Sequence, residues 1–142
     1  MTYEIKCSEP PNIYDVDALQ QGYEKFTEAQ IGVEDRRDIA FFVRDSQGHV
    51  IGGVKGSYGN YGWLWIDLLW VAEAIRNKGY GTRLMTLIEE HAKNNGCTNV
   101  HLNSFSFQGV EFYKKIGYRE YGRLDDFPSG HSVCSLTKKL VN

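Results

Sequence analysis

Cysteine is scarce in this 142-residue chain, and its three copies, Cys7, Cys97 and Cys134, are odd in number and far apart. That spacing argues against a disulfide framework and contains no C-x-x-C pair of zinc ligands. The four histidines, His49, His91, His101 and His131, show no H-x-x-x-H or H-E-x-x-H spacing, so no metal is expected. Long apolar runs are missing too. None approaches the roughly 18 to 20 residues of a membrane span, and the opening "MTYEIKCSEPPN" lacks the apolar core of a signal peptide. The expectation is a cytoplasmic protein with no membrane partner. Neither sign of charge dominates, with 16 Lys and Arg against 18 Asp and Glu and a formal charge of −2. There is then no general pull toward nucleic acid, and any anion site must be local. Repeats and low-complexity tracts are also absent, which places no boundary inside the chain and predicts one domain over residues 1–142.

What is present reads as alternating strands and helices. "TYEIK" is a candidate first strand ended by Pro10 and Pro11. Asn12 is a candidate N-cap, followed by apolar residues at Ile13, Val16, Leu19, Tyr23 and Phe26, a helical spacing that predicts one buried face. Gly32 closes this region, and "VEDRRD" is a charged connector. "IAFFVRD" and "HVIGGVKGS" flank "SQG" as a β-hairpin. "WLWIDLLWV", apolar except for Asp67, suits a central strand covered on both faces.

From Gly79 to Asn95 the period changes to that of a helix, with Leu84, Leu87, Ile88 and His91 on one side and Glu89, Glu90 and Lys93 away from it. Gly96 stands at the C′ position. "TNVHLNSF" follows as a strand, "FQGVEFYKKI" as a short helix ended by Gly117, and "YREYGRL" and "HSVCSLTKKL" as two last strands. The predicted order is βαβββαβαββ, an α/β or α+β layer with a mixed central sheet of about six to seven strands flanked by helices. The strands before and after the long helix run parallel.

Between the apolar strand and the long helix stands "IRNKGYGTRLM". A strand that delivers Gly-x-Gly into a helix start presents unpaired N–H groups and the positive end of the helix dipole to an anion, with little side chain in the way. G-x-x-x-x-G-K-[ST] is absent, because Gly81 is followed by Thr82 and Arg83, and the three-glycine dinucleotide fingerprint lacks its third glycine.

Arg76-Asn77-Lys78-Gly79-Tyr80-Gly81 resembles the [RQ]-x-x-G-x-[GA] signature of the GNAT superfamily of acyl-CoA-dependent N-acetyltransferases. Gly109 to Tyr118, "GVEFYKKIGY", resembles its second landmark, A-x-x-[FL]-Y-x-x-x-G-[FY]. The element order agrees, so the likeness covers essentially the whole chain. It departs from the family at Gly109, where alanine is usual, and at Ser106, where many members carry an asparagine that contacts the cofactor; Ser106 is expected to cap the short helix instead. The stretch from Asn12 to Asp38 is short for the two helices many members place there.

The resemblance implies acetyl-CoA as cosubstrate. Its pyrophosphate would lie on the backbone of residues 78 to 82, among Lys78, Gly79, Tyr80, Gly81 and Thr82, with Arg76, Asn77 and Lys78 preceding the helix. Backbone N–H groups around Trp70 and Val71 would polarise the thioester carbonyl. Tyr113 would act as acid toward the coenzyme A sulfur, although its spacing with Val110 and Ile116 also suits a packed core tyrosine. Asp67 is a candidate base for the amine, on the expectation that burial among tryptophans and leucines raises its pKa. Its alternative is a hydrogen-bonded structural acid, and Glu73, Glu34 and Asp35 are further candidates. His91 is read as a packing residue, and His131 as a turn residue, either plain loop surface or a border of the acceptor cleft. The implied acceptor is a primary amine of a small molecule or peptide. A homodimer through the terminal strands is one possibility, and a non-catalytic acyl-CoA-binding module of the same fold is the alternative function.

Overall fold

The computed structural model describes residues 2–141 and divides into two compact units, Met1–Glu34 and Asp35–Asn142. The first unit holds helix α1 (Ile13–Ile31). Its start is fixed by Asn12, whose Oδ1 accepts the N–H groups of Tyr14 at 2.9 Å and Asp15 at 3.2 Å. Its end is Gly32, in a positive-φ conformation (φ 83°), donating to Glu28 O at 2.9 Å. Both ends stand where the sequence put them. One expectation fails. "TYEIK" forms no strand: an isolated five-residue run has no ladder to join within its unit, and Tyr3 and Ile5 are exposed. Among the described residues of the first unit nothing packs on the apolar stripe of α1, and Ile13, Val16, Leu19, Tyr23 and Phe26 are all exposed there.

The second unit is a six-stranded sheet made of β1 (Arg37–Arg44), β2 (Val50–Tyr58), β3 (Trp63–Val71), β4 (Asn99–Phe105), β5 (Arg119–Asp125) and β6 (Ser132–Lys139). Helices α2 (Tyr80–Asn94) and α3 (Val110–Lys115) complete it, so the order is αβββαβαββ without the expected leading strand. The sheet order is β1-β2-β3-β4-β6-β5, antiparallel except for the parallel pair β3–β4 that the long helix connects. At the β1–β2 hairpin, Asp45 Oδ1 accepts the N–H groups of Gln47 and His49, each at 2.9 Å, which explains why a short polar loop suffices there.

Helix α2 packs Leu84, Met85, Ile88 and Ala92 onto one sheet face, against Val54, Leu64, Ile66, Val100, Leu102 and Leu136. Burying each large side chain contributes about 1.5–3 kcal/mol. His91 packs as expected, with its Nε2 3.1 Å from the Tyr58 hydroxyl and its ring edge-on to Phe41. Two residues exchange places with expectation. Leu87 is exposed, and Glu89 is buried, because Glu89 accepts the Tyr118 hydroxyl at 2.6 Å and the Lys138 ammonium at 2.8 Å. These two donors supply the partners that a buried carboxylate requires. Within this unit the helices cover one face of the apolar run of β3: Leu64 and Ile66 are buried, while Trp63, Leu68 and Trp70 are exposed.

Candidate active site

Strands β3 and β4 pair over only four residues each, from Trp63↔Asn99 to Ile66↔Leu102, although β3 continues to Val71 and β4 to Phe105. The cause lies in β3. Gly56 of β2 opposes Ile66 and Lys55 opposes Leu68, so Asp67 is an extra, unpaired residue in the ladder. Such a bulge bends its strand and increases its twist. Here it begins at the last β3–β4 pair and turns β3 away from its neighbour. The diverging ends open a cleft of about 800 Å³, the size of a cofactor site.

The β3 wall offers backbone groups to this cleft. Ala72 donates its N–H to Ile51 O of β2 at 2.8 Å. Alternation along the strand then turns the backbone of Trp70 toward β2 and the backbones of Leu69 and Val71 toward the cleft. Of the two expected N–H donors, both of which line the cleft, Val71 has this orientation and Trp70 has its backbone toward β2. The Val71 carbonyl accepts Arg76 Nε at 2.9 Å, which ties the loop to the strand end.

The floor is the start of α2. Gly79 is the N-cap, at φ 85° and ψ 4° in the left-handed region, and no side chain caps the helix. The helical bond from Arg83 N–H reaches back to Gly79 O at 3.1 Å, so the N–H groups of Tyr80, Gly81 and Thr82 have no intrahelical acceptor. All three residues line the cleft, as do Arg76, Asn77 and Gly79. Asn77 is itself left-handed (φ 61°), a conformation asparagine tolerates better than most residues. Gly81 has a packing reason: a Cβ there would meet the Phe112 ring of α3 at 3.3 Å. Lys78 lies outside the lining.

The opposite wall comes from α3 and β4. Tyr113 lines the cleft, is 7% exposed, and has ring contacts with Phe112 at 5.2 Å and Tyr118 at 5.6 Å. Burial pushes its hydroxyl up to about 12. Asp67 lines the cleft but is not buried: its side chain is 52% exposed and pairs with Lys55 Nζ at 3.2 Å. The bulge lifts it out of the apolar packing that the sequence suggested. Ser106 does not cap α3, which starts only at Val110. It pins β6 instead, its Oγ accepting Ser132 N–H at 3.0 Å and its N–H donating to Ser132 O at 2.8 Å. It too is outside the cleft lining.

Sequence reasoning missed Asn103, Ser104 and Phe107, which line the same cleft. Asn103 and Ser104 had a usable signal, since β4 residues just beyond the parallel pairing must face a gap next to β3. Phe107 had none, because it stands in a loop.

A model described as the Acetyltransferase (GNAT) family matches residues 1–118. The chain is 31% identical over 112 residues to acetyltransferase Atu2258 of Agrobacterium fabrum, covering 79% of this chain and 81% of that one. It is 33% identical over 102 residues to blasticidin-S acetyltransferase of Streptomyces morookaense, covering 71% and 74%. A crystal structure of an acetyltransferase from Bacillus cereus superposes with a TM-score of 0.89 at 35% identity, covering 96% of this chain and 97% of that one. A split sheet, an uncapped helix start at its mouth and a tyrosine on the facing helix thus coincide with sequence and structural kinship, and the chain belongs to the GNAT family of acetyltransferases.

Proposed function

We propose that the protein transfers the acetyl group of acetyl-CoA to a primary amine of a small molecule by direct attack within a ternary complex. The observation that carries this reading is the cleft itself, which brings the uncapped start of α2, the inward backbone of Val71 and the buried hydroxyl-bearing ring of Tyr113 to one lining. Similarity to blasticidin-S acetyltransferase supports a small-molecule acceptor.

Acetyl-CoA supplies the acetyl group as a thioester. The N–H groups of Tyr80, Gly81 and Thr82, at the positive end of α2, bind its pyrophosphate. The Val71 N–H donates to the thioester carbonyl as negative charge grows there. Tyr113, near 12, remains protonated at neutral pH. A thiol near 8.5 is the stronger acid, so Tyr113 stabilises the departing thiolate with a hydrogen bond and keeps its own proton. An alkylamine near 10.4 arrives protonated. Asp67, half exposed at the bulge, accepts that proton through water.

Two of the three cysteines favour direct attack over an acyl-cysteine relay. Cys97 and Cys134 are buried, and burial raises both thiols, which disfavours the nucleophilic thiolate. The test is thiol release from acetyl-CoA across a panel of amines, with intact-protein mass recorded before amine is added. Release that depends on amine, with no prior acetylation of the protein, supports the reading. An acetyl-protein formed without amine contradicts it.

A further inference from the structure

Glu89 of α2, Lys138 of β6 and the hydroxyl of Tyr118, just past α3, have no part in the chemistry above. They form one cluster. Tyr118 donates its hydroxyl to Glu89 Oε2 at 2.6 Å, Lys138 Nζ reaches Glu89 Oε1 at 2.8 Å, and the same Nζ stands 5.5 Å over the Tyr118 ring. Tyr118 and Glu89 are buried. Burial and then the Glu89 charge push the Tyr118 hydroxyl up, so it stays a donor at neutral pH. A buried ion pair adds little net stability over apolar residues of the same volume. Its effect lies in what it holds in place.

Tyr118 is built into the end of α3. This helix has six residues, too few to hold together alone, and no side chain caps its start at Gly109. Its other end is closed instead. Gly117, at φ 103°, reverses the chain; its N–H donates to Lys114 O at 3.2 Å and the Tyr118 N–H to Tyr113 O at 3.0 Å, the paired bonds of a Schellman motif. An apolar contact often accompanies this motif. Here it joins Tyr118 to Tyr113, whose rings meet edge to face at 5.6 Å and 67°. The Lys138 stem closes over the turn, because a Cβ at Gly117 would lie 3.3 Å from Lys138 Cε. Tyr118 therefore holds Tyr113 through both backbone and ring, and its own far end is tied to Glu89.

We propose that Tyr118 and Glu89 are positioning residues for acetyl transfer: Glu89 fixes Tyr118, and Tyr118 fixes the hydroxyl of Tyr113 toward the coenzyme A sulfur. The inference rests on the role given to Tyr113 above. Helix α2 makes the cluster more than a brace. Its first turn carries the N–H groups assigned to the pyrophosphate, and Glu89 lies about 13 Å further along the same helix. One rigid element thus sets the separation between the end that holds the cofactor and the ring that meets its sulfur. A misplacement of about 1 Å at such a group can cost about 100-fold in rate.

The test uses the full chain. Tyr118→Phe keeps the ring on Tyr113 and removes only the bond to Glu89, and it is expected to lower kcat about 10-fold with the acetyl-CoA KM unchanged. In a Tyr113→Phe background the same change is expected to do almost nothing, because no hydroxyl is left to place. A merely structural tyrosine would slow both backgrounds alike. Lys138→Met keeps the stem over Gly117 and drops the ammonium that holds Glu89. It is expected to repeat the pattern more weakly, and it decides the matter if Tyr118→Phe does not fold. A folded variant with the parent kcat, or equal losses in the two backgrounds, would overturn the proposal and leave Tyr113 in its role. A Tyr113→Phe enzyme as fast as the parent would overturn that role and the proposal together.

Discussion

Tyr113 owes its acidity to its neighbours: a ring buried between Phe112 and Tyr118 pays for ionisation, and the hydroxyl moves up to about 12. Tyr113→Phe is expected to lower kcat about 10- to 100-fold, the worth of one hydrogen bond to a charged group, with little change in acetyl-CoA affinity. Steady-state kinetics checks this. The rate should also show no alkaline limb from Tyr113 below about pH 11, since the group is still protonated there.

Two further residues test packing through charge. Glu89→Ala removes the acceptor of the Tyr118 hydroxyl and the Lys138 ammonium together. Because Lys138 keeps some solvent, the cost is expected near 2–3 kcal/mol in urea unfolding, below that of a fully buried pair. His101 lies against Trp63 and Trp65 at 5.4 and 4.8 Å, and burial and then Arg36 lower its pKa from 6.5. The unfolded state therefore binds more protons, and stability rises with pH between the folded value and 6.5. Unfolding curves from pH 5 to 7 should lose part of this slope in His101→Phe.

Among elements, the α2 start and the β1–β2 hairpin were legible because local chemistry decides them: Gly79 and Gly96 bound the helix, and Asp45 closes the turn. Gly79 is φ 85°, where alanine costs roughly 1–2 kcal/mol. Gly79→Ala is expected to lower the melting temperature and weaken acetyl-CoA binding, both readable by thermal shift with and without ligand. The parallel β3–β4 pair followed from the helix between them.

Asp67 was found as a cleft residue, but its exposure was not foreseen, because a one-residue bulge depends on the register with β2 and leaves no local mark in "WLWIDLLWV". Ser106 was misread for a related reason: its true partner, Ser132, is 26 residues away. The run "TYEIK" had strand composition without a strand partner, and composition alone cannot supply one.

For the second unit as a whole, the sheet and both of its helices converge on one gap. Strands β3 and β4 stop pairing after Ile66 and Leu102, and residues of the α2 start and of α3 line the space that opens between them.

Acetyl transfer is proposed to happen in the gap opened by the Asp67 bulge. A crystal structure with coenzyme A bound tests it most directly. The pyrophosphate is expected on the N–H groups of Tyr80, Gly81 and Thr82, and the sulfur within hydrogen-bonding reach of the Tyr113 hydroxyl. Coenzyme A bound elsewhere, or bound in the gap with its sulfur turned away from Tyr113 and Val71, would contradict it.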